Sequence, residues 1–206
     1  MKNLLLCAAA LLLFACNSSN TRPEGDTSTG NGKQATDRLD GYTVETVPGI
    51  SWKSAIKKDT AGNVLETGFF EDDKKVGSWV LYENINKQFP SQISTYKDGK
   101  LTGLHIEFSD GGQAGLITYY QNNQLHGHWG RYQFGRVAEE ADYKDGKLDG
   151  VYKVYTLATG KLQTTAEYKD GVQNGYYRTF TPEGQMTTEY LYKDGKKVSG
   201  GVVNSQ

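Results

Sequence analysis

An aromatic residue followed seven positions later by a glycine, with a polar turn between them, recurs from Phe70 to the end of the chain. The copies are FEDDKKVG from Phe70, YKDGKLTG from Tyr96, YQNNQLHG from Tyr120, YKDGKLDG from Tyr143, YKDGVQNG from Tyr168 and a frayed YKDGKKVSGG from Tyr192. Their starts are separated by 26, 24, 23, 25 and 24 residues. A period of this size means one small supersecondary unit stacked on itself, each copy burying apolar surface against the next. Most of the aromatics are therefore scaffold first. Function is to be sought in what differs between copies and in where the chain is delivered.

Two turn signals alternate within the period. One is the set Asp98-Gly99, Asp145-Gly146, Asp170-Gly171 and Asp194-Gly195, with Asn122-Asn123 in the same place once. Such pairs between strand-like residues mark two-residue hairpins, because a type I′ turn needs φ > 0 at both central positions. The other is a glycine eight residues before an aromatic: Gly62, Gly112, Gly135, Gly160 and Gly184. The unit from Phe70 departs, carrying an insertion around residues 86–90. Two turns per repeat give two strands per repeat, so the pattern predicts an all-β antiparallel meander of about eleven strands in one elongated, twisted sheet. Tyr, Thr, Val and Gly fill the space between turns, and these are strand formers or helix breakers. In the unit Val151–Gly171, Leu162, Thr164, Ala166 and Tyr168 share one parity while Lys161, Gln163, Thr165 and Glu167 take the other. That is a strand with one buried and one wet face. A single layer of this length leaves apolar surface open unless it twists, curls or is covered.

The amino end addresses delivery. Met1-Lys2-Asn3 precedes an apolar run from Leu4 to Ala15. A helix of that length covers roughly 18 Å, short of a ~30 Å hydrocarbon core, so the run reads as a secretory leader over residues 1–15. It ends Leu13-Phe14-Ala15-Cys16 and turns polar at Asn17. This resembles the lipobox of bacterial lipoproteins, which implies lipidation of Cys16, anchoring in the membrane and, from Asn17, sorting toward an outer membrane. Several acyl chains on one residue satisfy the need for more than one to hold a protein stably on a bilayer. Residues 16–41 contain no aromatic and one aliphatic larger than alanine, Leu39. They read as a flexible tether with a reach of roughly 25–30 Å. A degenerate repeat or cap follows over residues 42–69, then the repeats over 70–201 and a short tail, 202–206.

The only cysteines are Cys7, inside the leader, and Cys16. The mature chain thus has neither an internal disulfide nor a Cys/His metal cluster. Formal net charge is −1, and losing Lys2 with the leader makes it −2. Nucleic acid wants a clustered basic field and anionic lipid a polybasic patch, and neither is present.

Tyr168-x-x-Gly171-x-x-x-Gly175 and its equivalents from Tyr96, Tyr143 and, more weakly, Tyr120 resemble the MORN repeat, in the variant common in bacterial envelope proteins and antitoxin-like families. The resemblance spans Phe70 to Gly201, with a degenerate copy from Trp52, and implies an elongated sheet of successive β-hairpins. Where the commoner form has a second glycine soon after the turn, this chain carries Trp79, His105, Trp129, Tyr152 and Tyr177. The phospholipid binding proposed for some relatives does not carry over to a chain without a basic stripe.

That column, nine residues after each aromatic, is the leading candidate binding surface. Stacked in register it would form a groove for a peptide or a glycan, or else fill the core of the sheet. His126 and His128 would share a strand face, yet no further His or Cys stands near in sequence to complete a metal site. Asp72-Asp73 and Glu139-Glu140, being adjacent, would point to opposite faces of a strand. No nucleophile elbow or other reaction motif occurs. The expectation is a non-catalytic, cofactor-free, lipid-anchored envelope protein whose repeat sheet holds an unidentified envelope protein, in the manner of an immunity or antitoxin-like scaffold. A glycan-binding module using the aromatic column is the alternative, and the oligomeric state is open.

Overall fold

The computed structural model describes residue 39 and residues 41–83 and 89–203. The leader, Cys16 and the tether up to residue 38 lie outside the described residues, as do residues 84–88 of the insertion. The chain forms the expected all-β meander. Its strands are β1 (Tyr42–Thr46), β2 (Lys53–Lys58), β3 (Val64–Glu71), β4 (Lys74–Leu81), β5 (Gln92–Lys97), β6 (Lys100–Phe108), β7 (Ala114–Gln121) and β8 (Gln124–Gln133). They continue as β9 (Arg136–Lys144), β10 (Lys147–Leu148), β11 (Gly150–Tyr155), β12 (Leu162–Lys169), β13 (Val172–Phe180), β14 (Met186–Lys193) and β15 (Lys196–Val202). All belong to one antiparallel sheet in sequence order, with the two-residue β10 pairing only to β9. The expected eleven strands become fifteen. The region before Phe70 contributes β1, β2 and most of β3, and the backbone break at Asp149 splits one repeat strand into β10 and β11.

The tight turns have the backbone the sequence demands. Asp98 and Gly99 have φ of 51° and 76°, Asp145 and Gly146 50° and 78°, and Asn122 and Asn123 51° and 67°. Asp72 and Asp73 do not lie on a strand with opposed side chains, as adjacency suggested. They form a further turn of this kind, at φ 47° and 58° without a glycine. The five turns after Asp72-Asp73 also donate a backbone N–H to the hairpin before them: Gly99 to Lys75 O at 2.9 Å, Asn123 to Leu101 O at 2.9 Å, Gly146 to Leu125 O at 2.8 Å, Gly171 to Leu148 O at 2.8 Å and Gly195 to Gln173 O at 2.9 Å. At the other edge the connections are mostly longer. In two of them Gly112 N–H bonds Ser109 O and Gly184 N–H bonds Thr181 O, both at 2.9 Å.

Pairing register explains the repeat motif. The closing glycine of one copy sits opposite the opening aromatic of the next: Gly77 faces Tyr96, Gly103 faces Tyr120, Gly127 faces Tyr143, Gly150 faces Tyr168 and Gly175 faces Tyr192. These glycines have positive φ and stand where the register shifts from one hairpin partner to the next.

A second row across the sheet alternates large and small residues on one face. It runs Trp79, Ser94, His105, Thr118, Trp129 and Ala141 through direct cross-strand pairs. It continues through Tyr152, Ala166, Tyr177 and Tyr190. As far as Ala166 the small residue lies two positions before a repeat's opening aromatic, and in the last repeat Tyr190 takes that place. At the head of the row the small residue is Gly68, and the fit leaves no room there: a methyl carbon on Gly68 would stand 2.2 Å from Trp79 Cδ2. Two cores form along the aromatic face. One joins Ala55, Phe70 and Trp79, covered by Leu39, Tyr42 and Tyr96. The other joins Leu125, Trp129, Ala141 and Tyr143, with Leu116, Tyr120, Leu148 and Tyr152 around it. Leu39, the one large aliphatic of the tether, is thus part of the packing.

Candidate functional site

The structure brings Trp79, His105, Trp129, Tyr152 and Tyr177 into one row, one on every second rung of the sheet, as their spacing implied. Their exposure divides them. Trp79, His105 and Trp129 are buried, at 3%, 6% and 4% relative exposure, while Tyr152 and Tyr177 are half-buried. Trp79 is enclosed edge-on by Phe70 at 4.9 Å and Tyr42 at 5.8 Å between ring centroids. Lys75 Nζ lies 4.1 Å from its ring centre, held by Glu66 at 2.6 Å, and the indole N–H donates to Phe69 O. A cation on a tryptophan face is favourable in its own right. The first three members of the column are core.

His105 replaces an indole in this row, and its neighbours compensate for the polarity. Ser94 Oγ lies 2.9 Å from His105 Nδ1, and His105 Nε2 lies 3.3 Å from Glu107 Oε1. The hydrogen bond from His105 is the main reason that the Glu107 carboxyl ionises below its ordinary range. A serine, a histidine and a carboxylate in line have the connectivity of a nucleophile, its base and an orienting acid. Access is missing. Ser94 is 1% exposed, and Gln92 Nε2 donates to its Oγ at 2.6 Å. Ser94 and His105 form a satisfied buried polar link between β5 and β6, with Glu107 at its exposed end. Sequence reasoning missed it because the residues are joined by register; the signal was a serine in the row's small position opposite a histidine in its large one.

The remaining candidates separate. His126 Nδ1 stands 3.3 Å from Asp145, and His128 Nδ1 3.8 Å from Asp142. Among the described residues no three His, Cys, Asp or Glu side chains are grouped to hold a metal ion, and no helix is long and apolar enough to cross a membrane. Glu139 and Glu140 do take opposite faces of β9. Glu139 accepts from the Tyr152 hydroxyl and pairs with Arg131. Glu140 accepts from Lys153 at 2.7 Å and from the Tyr155 hydroxyl at 2.6 Å. Burial opposes charge on Glu140, but these two bonds prevail and its carboxyl ionises below the usual range.

The face opposite the aromatic row holds a contrast that sequence reading did not reveal. One cross-strand row there runs Ile56, Thr67, Val80, Ile93, Ile106 and Ile117 over β2–β7. Beside it stand the pairs Ser54–Phe69, Ser78–Thr95 and Leu104–Tyr119. None of these positions carries Asp, Glu, Lys, Arg or His. Ile56 is 37% and Tyr119 42% exposed. Beyond Gly130 the same row becomes Glu140, Lys153, Thr165, Arg178 and Glu189, joined by ion pairs. One fold, one row and one face thus carry aliphatics in the first half and charge in the second. Compared with family models and with curated proteins, the chain matches none of either.

Proposed function

We propose that this is a lipid-anchored envelope protein that holds a protein partner on the uncharged half of its sheet, as a MORN-like, non-catalytic scaffold. The observation that carries the reading is the absence of charge from the Ile56–Ile117 row and the pairs beside it, in the β2–β7 half of the face opposite the aromatic row. Stacking needs no such absence, since the second half of the same row is charged and forms the same strands. Depletion of charge at the centre of a surface is the compositional mark of a protein interface. Six strands at about 4.8 Å give a stripe roughly 24 Å long, and contiguous apolar surface on an open face is the kind that marks an interaction site. The anchor rests on Leu13-Phe14-Ala15-Cys16, and the partner is accordingly met at or near the membrane.

A photo-crosslinking residue placed in living cells at Ile93 should yield a discrete adduct with another protein, while the same residue at Thr165, in the charged half of the row, should not. Equal labelling at both positions, or none at either, would reject the docking face. Cys16→Ser should abolish membrane retention or signal processing, and unchanged fractionation would reject the anchor.

A further inference from the structure

We propose a second binding site, on the other face and at the other end of the sheet: a platform for a neutral carbohydrate chain over β11–β14. Along the aromatic row Tyr152, Tyr177 and Tyr190 are half-buried, whereas Trp79, His105 and Trp129 are buried. The Tyr177 and Tyr190 rings are near-parallel, with centroids 6.3 Å apart and 25° between planes. Every ring pair among the buried members of the row is edge-on or tilted instead, as for Trp79 with Tyr96 and Trp129 with Tyr143. Tyr152 lies two strand spacings from Tyr177, about 9.6 Å. Three phenol rings are therefore set along one line of the sheet.

Hydroxyls run beside them. Thr164, Thr179 and Thr188 form the adjacent cross-strand row on the same face. Thr179 Oγ1 hydrogen-bonds Thr188 Oγ1 within the row and Thr187 Oγ1 beside it, groups each able both to donate and to accept. On β11–β14 neither this row nor the tyrosine row contains a charged residue. Charge appears only at the margins, with Glu139 on β9 and Lys197, whose Nζ is 4.2 Å from the Tyr190 ring centre, on β15.

The chemistry selects the occupant. Among the described residues the one cation at the platform's edge, Lys197, is already seated on the Tyr190 ring, so no free cation is left for an anionic ligand, and an aliphatic peptide would leave the threonine hydroxyls facing apolar groups. A neutral sugar ring presents a face of weakly positive C–H groups and an edge of hydroxyls. The first suits the negative face of a phenol ring and the second suits the threonine row. The aliphatic half of the opposite face has neither element, so the two surfaces recognise different classes of molecule.

Affinity electrophoresis of the detergent-solubilised full chain through gels containing a β-glucan, a galactomannan or a chitin oligosaccharide conjugate tests the platform. At least one of these neutral gels should slow the wild-type chain relative to a plain gel. Tyr177→Ala should weaken that retardation at least tenfold, and Thr179→Val, which keeps shape and removes a hydroxyl, at least threefold. Arg178→Gln, one residue along β13 but on the opposite face, should leave it unchanged. Should Tyr177→Ala fail to fold, Thr179→Val decides. Wild-type mobility unaltered in all three gels, or Thr179→Val retarded as strongly as wild type, would overturn the proposal. Neither result touches the protein-docking face, which lies on the other side of the sheet.

Discussion

At the level of single residues, identity is fixed by the partner across the strand more than by the neighbour in sequence. Gly68 is glycine because Trp79 lies on it, and Ser94 is serine because a histidine stands opposite. Tyr155 shows the same dependence in its ionisation. Burial, the hydrogen bond to Glu140 and the charge of that carboxylate all push the Tyr155 hydroxyl far above the ordinary tyrosine range. Its folded-state pKa is raised above the unfolded value near 10. The stability it contributes is therefore intact below about pH 10 and lost as pH rises beyond it, where the unfolded chain gives up the proton first. In an alkaline ultraviolet titration, Tyr155 should ionise only with unfolding, and Tyr155→Phe should show a smaller alkaline loss of stability than wild type. Equal losses in the two proteins would contradict this.

At the level of the strand and turn, the meander was readable because Asp-Gly and Asn-Asn pairs state their backbone openly. Asp72-Asp73 was not, since neither residue is a glycine and both tolerate a strand on paper. Its left-handed backbone is maintained at a cost that glycine would relieve. Asp73→Gly should stabilise the fold by about 1 kcal/mol, read as a higher denaturation midpoint with an unchanged denaturant slope. Asn123→Gly should bring no such gain, because Asn123 Oδ1 accepts the Leu101 N–H at 2.7 Å and glycine would forfeit that bond. The small-residue row was equally hidden. Its members Ser94, Thr118, Ala141 and Ala166 are unremarkable one by one, and their role emerges only once register sets each beside an aromatic. The column of Trp79, His105 and Trp129 was legible both as a column and as filling of the core; what spacing alone did not tell is that Tyr152 and Tyr177, in the same column, stay half-buried.

For the whole molecule, each hairpin touches only its neighbours, so stability is the sum of local units and the boundaries between them. The two cores sit at Phe70–Trp79 and at Leu125–Tyr143, while every residue of β15 is exposed. Amide hydrogen exchange should therefore be slowest in β8 and β9, rise through β13 and β14 and be fastest in β15. Uniform protection across the sheet would mean that it opens as one cooperative block.

The backbone bonds that tie the five tight turns after Asp72-Asp73 to the hairpin before them all run in one direction. The donor belongs to the later unit and the acceptor to the earlier one, from Gly99 and Lys75 through to Gly195 and Gln173. Growth of the sheet therefore has a polarity, like a row of tiles each hooked over the last. In a chain that emerges amino-end first, each of these turns finds its carbonyl partner already in place in the hairpin before it.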